Sequence, residues 1–600
     1  MNERPRVLVV GAGLGGTATA IRLLQFAREP VEIMLLERRA EYRQAGVAYH
    51  PGSNHWQHVF NIQAGRMSAF REDVDDFVSW ANREADRSGW PDEWRDVVFT
   101  ESGPAPRCVY PDYLRDRLDQ AAAEAPDGVH LVQVDGEAVD LEPNDGRVTV
   151  TVTGRPDVVA DHVVLATGLE RRHPAFAETV VDHPAFVAQP YSERGIERIL
   201  GVAPDAEVAI VGSVLSAYDS AALLLRHGHT GKIHMISGSG RTLRTYPADH
   251  RHHVLELPPP RLGDQPYVGL DDFIERFQDE CRRAGLRVIR EHPEVARSVV
   301  SERVFKAWEP HLPEILAAIP SADLRTLLDR YGSLLAIMRV GVMAYTAAPV
   351  DAAMDDQVAV TAGRIQAITP GADDRLVLSV GGTAPRQLTA DLVISNFGRE
   401  SDYARVDSPL WANLLRRGLA CPHGRTGRGV EVDGHGTLVG AAGLPAAPVS
   451  VVGSPREGDE IVRNGRTGAF TFNLAAIKNH SVEVAASLLC RLESCYDATG
   501  VPLPETRDPE LTEALSYSTM IEVRRMTARR RDQRQELTAR LEDSLRAIQA
   551  ISTRHGRSVT ERTVRLAVTE VASARLKDLS VTPRDLRGRL GLDKSLETLA

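Results

Sequence analysis

A short apolar run, Arg6 to Val10 (RVLVV), leads directly into Gly11-Ala-Gly13-Leu14-Gly15-Gly16 and then into a helical stretch through Ala27. Strand, glycine turn and helix in immediate succession leave few folds open, because the chain must reverse sharply and begin a helix whose first N–H groups are bare. Gly11 permits the tight turn, Gly13 lets a pyrophosphate approach the backbone, and Gly16 allows close helix–strand packing. The phosphates would rest on the helix N-terminus. The next strand, Val31 to Leu36, ends in Glu37, about 20 residues beyond the last glycine, where a carboxylate would hold a pair of ribose hydroxyls. An acid there repels a 2'-phosphate, so this site is expected to take FAD or NAD rather than NADP.

Later segments favour FAD. Asp161 to Gly168 (DHVVLATG) is an apolar strand running into a closing Thr167-Gly168 turn, preceded by a hairpin-like stretch from Val132 to Val152 around Asn144-Asp145-Gly146. A second strand and turn follow, Glu207 to Val211 and then Gly212-Ser213-Val214-Leu215-Ser216-Ala217, with a helix through His227. The middle glycine has become Val214, whose β-branched side chain crowds a pyrophosphate arriving in the usual pose, so the ligand is displaced or the site is a relic. The strand Lys232 to Ile236 ends in Ser237, with Arg241 close behind and Arg244 beyond it. A hydroxyl plus a guanidinium suits a 2'-phosphate, which favours NADPH here. As a bland alternative, the two arginines decorate a solvated loop.

The fold class expected is therefore α/β, with two Rossmann-like dinucleotide-binding domains, a helical insertion and a helical C-terminal extension. The expected division is 1–170 and 399–500 for the FAD-binding domain, 171–245 and 351–398 for the NADPH-binding domain, 246–350 for a helical domain and 501–600 for terminal helices. Within these, Leu270 to Arg283, Ser321 to Val342, Ala469 to Leu489, Glu510 to Thr553, Thr560 to Leu576 and Pro583 to Leu590 carry helical spacing. Asp391 to Gly398 (DLVISNFG) echoes DHVVLATG and marks the return to the first domain, which Gly440 to Gly453 continues.

Composition narrows the partners. The 600 residues hold 71 Lys+Arg against 82 Asp+Glu, and this acidic balance argues against non-specific nucleic-acid binding. No run of about 18 apolar residues and no signal-peptide core is present, so no membrane role and a cytoplasmic location are expected. The five cysteines form no Cys-x-x-Cys pair, and His50, His55 and His58 lack metal-site spacing, so neither a redox dithiol nor a metal is expected. The three histidines read instead as facing solvent or substrate. The arginine run from Arg524 to Arg534 lacks nearby aromatics and reads as a solvated helix face or a subunit contact, and a homodimer is expected.

Taken together, these motifs resemble the FAD/NAD(P)-binding class of flavoproteins. Gly46-Val-Ala-Tyr49, the stretch His58-Val-Phe-Asn61-Ile-Gln63-Ala-Gly65-Arg66-Met67-Ser68, and Tyr110-Pro-Asp-Tyr113-Leu-Arg115 resemble the G-x-A-Y, L-N-x-x-A-x-R-M-S and Y-x-x-Y-L-R segments of a bacterial branch of that class. Within it the chain is most similar to the L-aspartate N-hydroxylases that form nitrosuccinate for antibiotic biosynthesis. The resemblance spans roughly residues 5 to 490 and implies an FAD- and NADPH-dependent N-monooxygenase acting on a small acidic amino acid and O2 through a C4a-hydroperoxyflavin. No Baeyer–Villiger F-x-G-x-x-x-H segment is present, and Val214 departs from the usual glycine.

The expected flavin contacts are Gly11, Gly13, Leu14, Gly15, Gly16, Glu37, Arg38, Asn61, Gln63, Gly136, Glu137, Thr167, Gly168 and Gly453. Those to NADPH are Gly212, Ser213, Ser216, Ser237 and Arg241. Two substrate carboxylates call for bidentate arginines, for which Arg66, Arg339 and Arg463 are the candidates, with Arg399 and Arg456 behind them. Asn61, Gln63 and Arg66 are expected at the reacting centre. Two other readings stand beside this one: an amine or hydroxy-acid oxidase with a vestigial nucleotide domain, which Val214 favours, and a non-enzymatic flavin-bearing scaffold.

Overall fold

The computed structural model describes residues 4–251, 254–382, 385–396, 398–467, 473–493, 509–528, 530–554 and 559–578. The chain opens with β1 (Arg6–Val10), α1 (Leu14–Phe26) and β2 (Val31–Glu37), then makes an excursion of short turns and one helix, Asp76–Arg83, before α2 (Tyr110–Glu124), β3 (Val129–Asp135) and β4 (His162–Leu165). It crosses to β5 (Phe186–Val187), β6 (Val208–Val211), α3 (Leu215–Arg226) and β7 (Ile233–Ser237). The helices α4 (Leu270–Glu291), α5 (Val300–Trp308) and α6 (Ser321–Arg339) follow, then β8 (Val358–Ala362) and β9 (Leu392–Ser395). The return consists of β10 (Thr437–Val439), β11 (Pro445–Val451), α7 (Glu457–Asn464) and α8 (Leu474–Leu492). Last come α9 (Pro509–Thr527), α10 (Arg531–Arg554) and α11 (Glu561–Asp578).

Two open sheets carry the molecule, which is the expected α/β class. The first has strand order β10-β11-β4-β1-β2-β3, with β1 parallel to both β2 and β4. The second has order β8-β7-β6-β9-β5, with β6 parallel to both β7 and β9. Their central strands are apolar throughout because helices or other layers cover both faces, and Val7, Leu8, Val9, Val208, Ala209 and Ile210 have no exposed surface. Each fully buried Val, Leu or Ile contributes roughly 1.5–3 kcal/mol. Each domain also carries a three-stranded antiparallel sheet, Ala138–Ala160 in the first and Arg364–Ala390 in the second.

The hairpin around Asp145-Gly146 joins Ala138–Asn144 to Arg147–Val152, both turn residues having positive φ. Val132, expected in that hairpin, lies instead in β3 at the edge of the parallel sheet, because its neighbours pair with β2. The long helix expected from Glu510 breaks between α9 and α10, and the helix expected at 583–590 lies outside the described residues.

The arginine run is only in part a solvated face, with Arg524, Arg530 and Arg531 exposed. Arg525 and Arg534 are buried, and they donate to the carbonyls of Phe26 (3.3 Å) and Glu124 (3.0 Å) at the C-terminal ends of α1 and α2. The terminal helices therefore close onto the first domain, where Met526, Ala572 and Leu576 join the same apolar core as Leu23 and Phe26. Among the described residues no helix is long and apolar enough to cross a membrane, and no group of His, Cys, Asp and Glu has a metal-holding arrangement.

Candidate active site

The first glycine turn is shaped by contacts that admit no side chain. Gly11 has φ +98°, and a Cβ there would lie 2.4 Å from the Ala166 carbonyl oxygen. A Cβ on Gly16 would lie 1.7 Å from the Gly11 carbonyl oxygen, so α1 can approach β1 only because both residues are glycine. Gly13 precedes Leu14 and Gly15 at the start of α1 and faces Gly46, whose Cα would stand 3.3 Å from a Cβ on Gly13. Glu37 ends β2 buried, and its Oε2 accepts from the Ala12 N–H at 2.9 Å, which points the carboxylate at the turn. Arg38 and Glu137 lie across the mouth of this edge at 3.8 Å, both exposed, and the Gly136 N–H donates to the Glu37 carbonyl at 2.9 Å. On the other side Thr167 Oγ1 accepts from Trp411 Nε1 (3.2 Å), and Gly168 has φ +80° in open space.

Gly453 ends the return strand with φ +86°, and its N–H donates to His480 Nδ1 at 3.1 Å. His480 Nε2 in turn meets Glu460 Oε1 at 2.7 Å, which assigns the proton to Nε2. Burial keeps this imidazole below its ordinary titration range. The sequence offered no signal for this pair, since Glu460 and His480 lie on separate helices, α7 and α8.

The segment from Gly46 to Ser68 is held by the two tyrosines of the Y-x-x-Y motif. Tyr110 Oη donates to the Met67 carbonyl at 2.9 Å, and Tyr113 Oη accepts from the Ala69 N–H at 2.9 Å while donating to Asp76 Oδ2 at 2.6 Å. Two motifs separated in sequence are thus one contact. Within this segment Gln63 is 2% exposed, and neither atom of its amide has a hydrogen-bond partner among the described residues. A buried amide left unpaired costs about 1–3 kcal/mol, so its donor and acceptor suit a ligand with both kinds of group on one edge, as a flavin ring has. Asn61 is exposed and accepts from Arg107.

At the second turn Gly212 has φ +119°, and Ser213 Oγ lies 2.7 Å from Ser237 Oγ at the end of β7. Ser216 lies half-buried in the first turn of α3, and Arg241 is exposed just past the Ser237 turn. Val214 is 37% exposed at the N-terminus of α3, where a pyrophosphate would arrive. Asn396, following β9, faces Gly212, and its buried Nδ2 has no partner among the described residues. The two serines, the arginine and this free amide fit a phosphorylated dinucleotide set slightly away from Val214.

The five candidate substrate arginines divide. Arg456 is fully buried against Asp459 (2.6 Å) and Glu483 (3.0 Å), Arg399 is half-buried against Glu457 (2.6 Å), and Arg463 pairs with Asp459 (2.7 Å) while donating to the carbonyls of Val432 and Asp433. Arg339 is buried between Glu309 Oε2 and the Gly465 carbonyl, each at 2.9 Å. Arg66 alone of the five is half-buried with no side-chain hydrogen bond or ion pair to the described residues.

Around Arg66 stand two lysines that sequence reasoning missed. Lys306 on α5 pairs with Glu309 at 3.5 Å, and Lys478 on α8 donates to the Ser68 carbonyl at 2.9 Å. Burial pushes Lys306 down to about 8, Glu309 opposes this, and Arg66 and Arg339 push further. Burial likewise pushes Lys478 down to about 7, with Arg71, Arg22 and Arg66 adding repulsion against the pull of Glu72. Three basic side chains from three segments therefore come together where the Gly46–Ser68 segment, the helical block and the return helix meet. Nothing in the spacing of two lone lysines could have marked them.

His50 and His55 are partly exposed, and His58 differs from expectation. His58 is buried between the Tyr191 ring and the pair Arg107–Asp219, and its burial pushes it down to about 4, so it is a neutral core residue rather than a solvent-facing one. Cys108 is buried and Cys281 and Cys421 half-buried, all three as free thiols.

Two largely parallel sheets, one with a glycine turn and helix after β1 and the other with a glycine turn and helix after β6, make a fold of two Rossmann-like dinucleotide-binding units. Residues 8–170 match the FAD-NAD(P)-binding family. The fold is similar to that of an L-lysine 6-monooxygenase from Pseudomonas syringae, at 15% identity over 82% of this chain and 100% of that one, with a TM-score of 0.50. A cadaverine monooxygenase from Erwinia amylovora bound to FAD matches at 11% identity over 81% and 95% of the two chains (TM-score 0.49). An ornithine hydroxylase from Pseudomonas aeruginosa matches at 16% over 82% and 100% (TM-score 0.47). No curated protein sequence matches the chain significantly.

Proposed function

We propose that the protein is an FAD- and NADPH-dependent N-monooxygenase that hydroxylates the amine of a small acidic amino acid, L-aspartate, towards nitrosuccinate. The grouping of Lys306 and Lys478 with Arg66, three residues along the chain from the orphaned Gln63 amide, carries this reading. Bound FAD, reduced by NADPH, supplies the activated oxygen that amino-acid side chains cannot. The chain's own residues do the rest. Gly11, Gly13 and Gly16 open the backbone to a pyrophosphate, Glu37 is placed for ribose hydroxyls, and Gln63 offers a donor and an acceptor to a ring edge.

Arg66 supplies a bidentate fork for one carboxylate, and the two lysines supply point charges for the other. The same positive surroundings lower the pKa of a substrate ammonium, favouring the neutral amine whose lone pair the reaction needs. Asn396, Ser213, Ser237 and Arg241 hold the NADPH phosphates.

Product mass analysis after incubation with NADPH, O2 and a panel of amino acids tests this reading. Hydroxylamino or nitroso derivatives of aspartate are expected. Turnover of lysine or ornithine in preference to aspartate would overturn the substrate. Val214 favours the oxidase alternative, for which anaerobic bleaching of the flavin by the amino acid without NADPH is the signature.

A further inference from the structure

A cavity of about 350 Å³ lies in the helical block, between α4, α5 and α6 and the short strand Arg244–Thr245 that pairs with Gly341–Val342. Its wall is mostly apolar, with Ile289 from α4, Val304 and Phe305 from α5 and Met338 from α6. At about 100° per residue, the lining residues of α5 stand on the far side of that helix from Arg303 and Lys306, so the cavity is separate from the basic side chains grouped around Arg66.

Two guanidiniums line it, from Arg244 and Arg297, and no acidic residue does. Arg244 Nη1 donates to the Arg297 carbonyl at 3.2 Å, which holds the first arginine beside the second, and neither forms an ion pair with the described residues. The acids that neighbour the cavity along the chain are paired elsewhere: Glu280 with Arg283, Glu291 with Arg287 and Arg290, Glu294 with His292, and Glu302 with Arg303. Both lining arginines are exposed, whereas Val304 and Phe305 are buried, so the charge sits at the rim and the apolar surface within. Neighbouring positive charges are relieved by an anion between them, and an apolar wall is stabilised by apolar cover.

We propose that this cavity binds a free apolar carboxylate, its tail against Ile289, Val304, Phe305 and Met338 and its carboxylate between Arg244 and Arg297. The volume falls at the small end of the roughly 300–1,000 Å³ of ordinary ligand sites, which limits the tail to medium length. A dicarboxylic amino acid does not suit it, because the second charge would be set against the apolar wall.

Equilibrium dialysis of the FAD-loaded protein against labelled octanoate, with and without saturating NADP+, tests the assignment. Octanoate should bind with a Kd at or below about 1 mM in both conditions, and unlabelled octanol, which lacks the charge, should compete at least about tenfold more weakly. Gly285 lies on α4 at the cavity wall, where a Cβ would meet only Val300 Cγ1 at 3.7 Å. Gly285→Leu therefore fills the void while raising helix propensity, and should weaken octanoate at least about tenfold without lowering the unfolding midpoint. Arg297→Gln should weaken it about fivefold or more, and Arg282→Gln, an exposed change on α4 outside the cavity, should leave it unchanged. Absence of binding at about ten times that concentration, octanol competing as well as octanoate, indifference to Gly285→Leu, or loss of binding in saturating NADP+ would each overturn the proposal.

Discussion

Arg107 Nη2 lies 2.8 Å from Asp219 Oδ2, a buried ion pair between the segment before α2 and helix α3 of the second domain. Tyr191 Oη donates to the same carboxylate oxygen at 2.6 Å, and Asn61 accepts from the same guanidinium, so one node ties the Gly46–Ser68 segment to the second domain. Truncating one partner leaves the other charged and unpaired. Arg107→Ala should cost about 3–5 kcal/mol in denaturant unfolding, and Asp219→Asn less, because an amide still accepts from the arginine. Flavin reduction by NADPH should slow in both, since this node sets the distance between the domains.

Gly16→Ala should abolish flavin uptake, because its Cβ has to displace the Gly11 carbonyl. Gly146→Ala, at a hairpin turn with φ +79° and open space around it, should lower stability by about 1 kcal/mol and leave the protein yellow. Absorbance of the two purified variants separates a cradle glycine from a turn glycine.

Arg66→Ala should raise KM for a dicarboxylic amino acid about 10- to 100-fold, the value of a lost charge-assisted contact of roughly 1.5–3 kcal/mol. Arg463→Ala, whose guanidinium is committed to Asp459 and two carbonyls, should move KM by less than about threefold and act instead on stability. Steady-state kinetics of both variants check the division among the arginines.

Lys306 and Lys478 give two opposite pH slopes. Both are depressed, to about 8 and about 7, so the folded protein loses these charges well below the unfolded value of about 10.4. The unfolded chain then holds more protons between pH 7 and 10, and this contribution to stability rises with pH. Anion binding runs the other way. Affinity for a dicarboxylate should fall about tenfold or more from pH 7 to 9, while the unfolding midpoint gains from these two groups. Lys478→Met should flatten the first slope.

Val214→Gly removes the side chain facing an arriving pyrophosphate and should lower KM for NADPH about fivefold or more, with no effect on flavin content. Arg241→Ala should raise KM for NADPH while leaving that for NADH unchanged, because only the 2'-phosphate needs the guanidinium.

Local chemistry made much of this molecule readable in one dimension. Gly16 is required by the Gly11 carbonyl five residues away, Gly11 and Gly212 by their own positive φ, and apolar runs of four or five residues announce strands covered on both faces. These features rest on backbone sterics and hydrophobic periodicity, which neighbours in sequence largely dictate. Ion pairing is a different matter, because a guanidinium looks the same in sequence whether it meets a carboxylate or a cavity. Arg456 and Arg66 became distinguishable only when folding brought Asp459 and Glu483 to the first and left the second beside Lys306 and Lys478. Likewise Arg534 turned from an apparent surface charge into a buried one because α10 docks on the end of α2, a contact between residues about 410 positions apart. Charge is written in the chain, but its partners are chosen by packing.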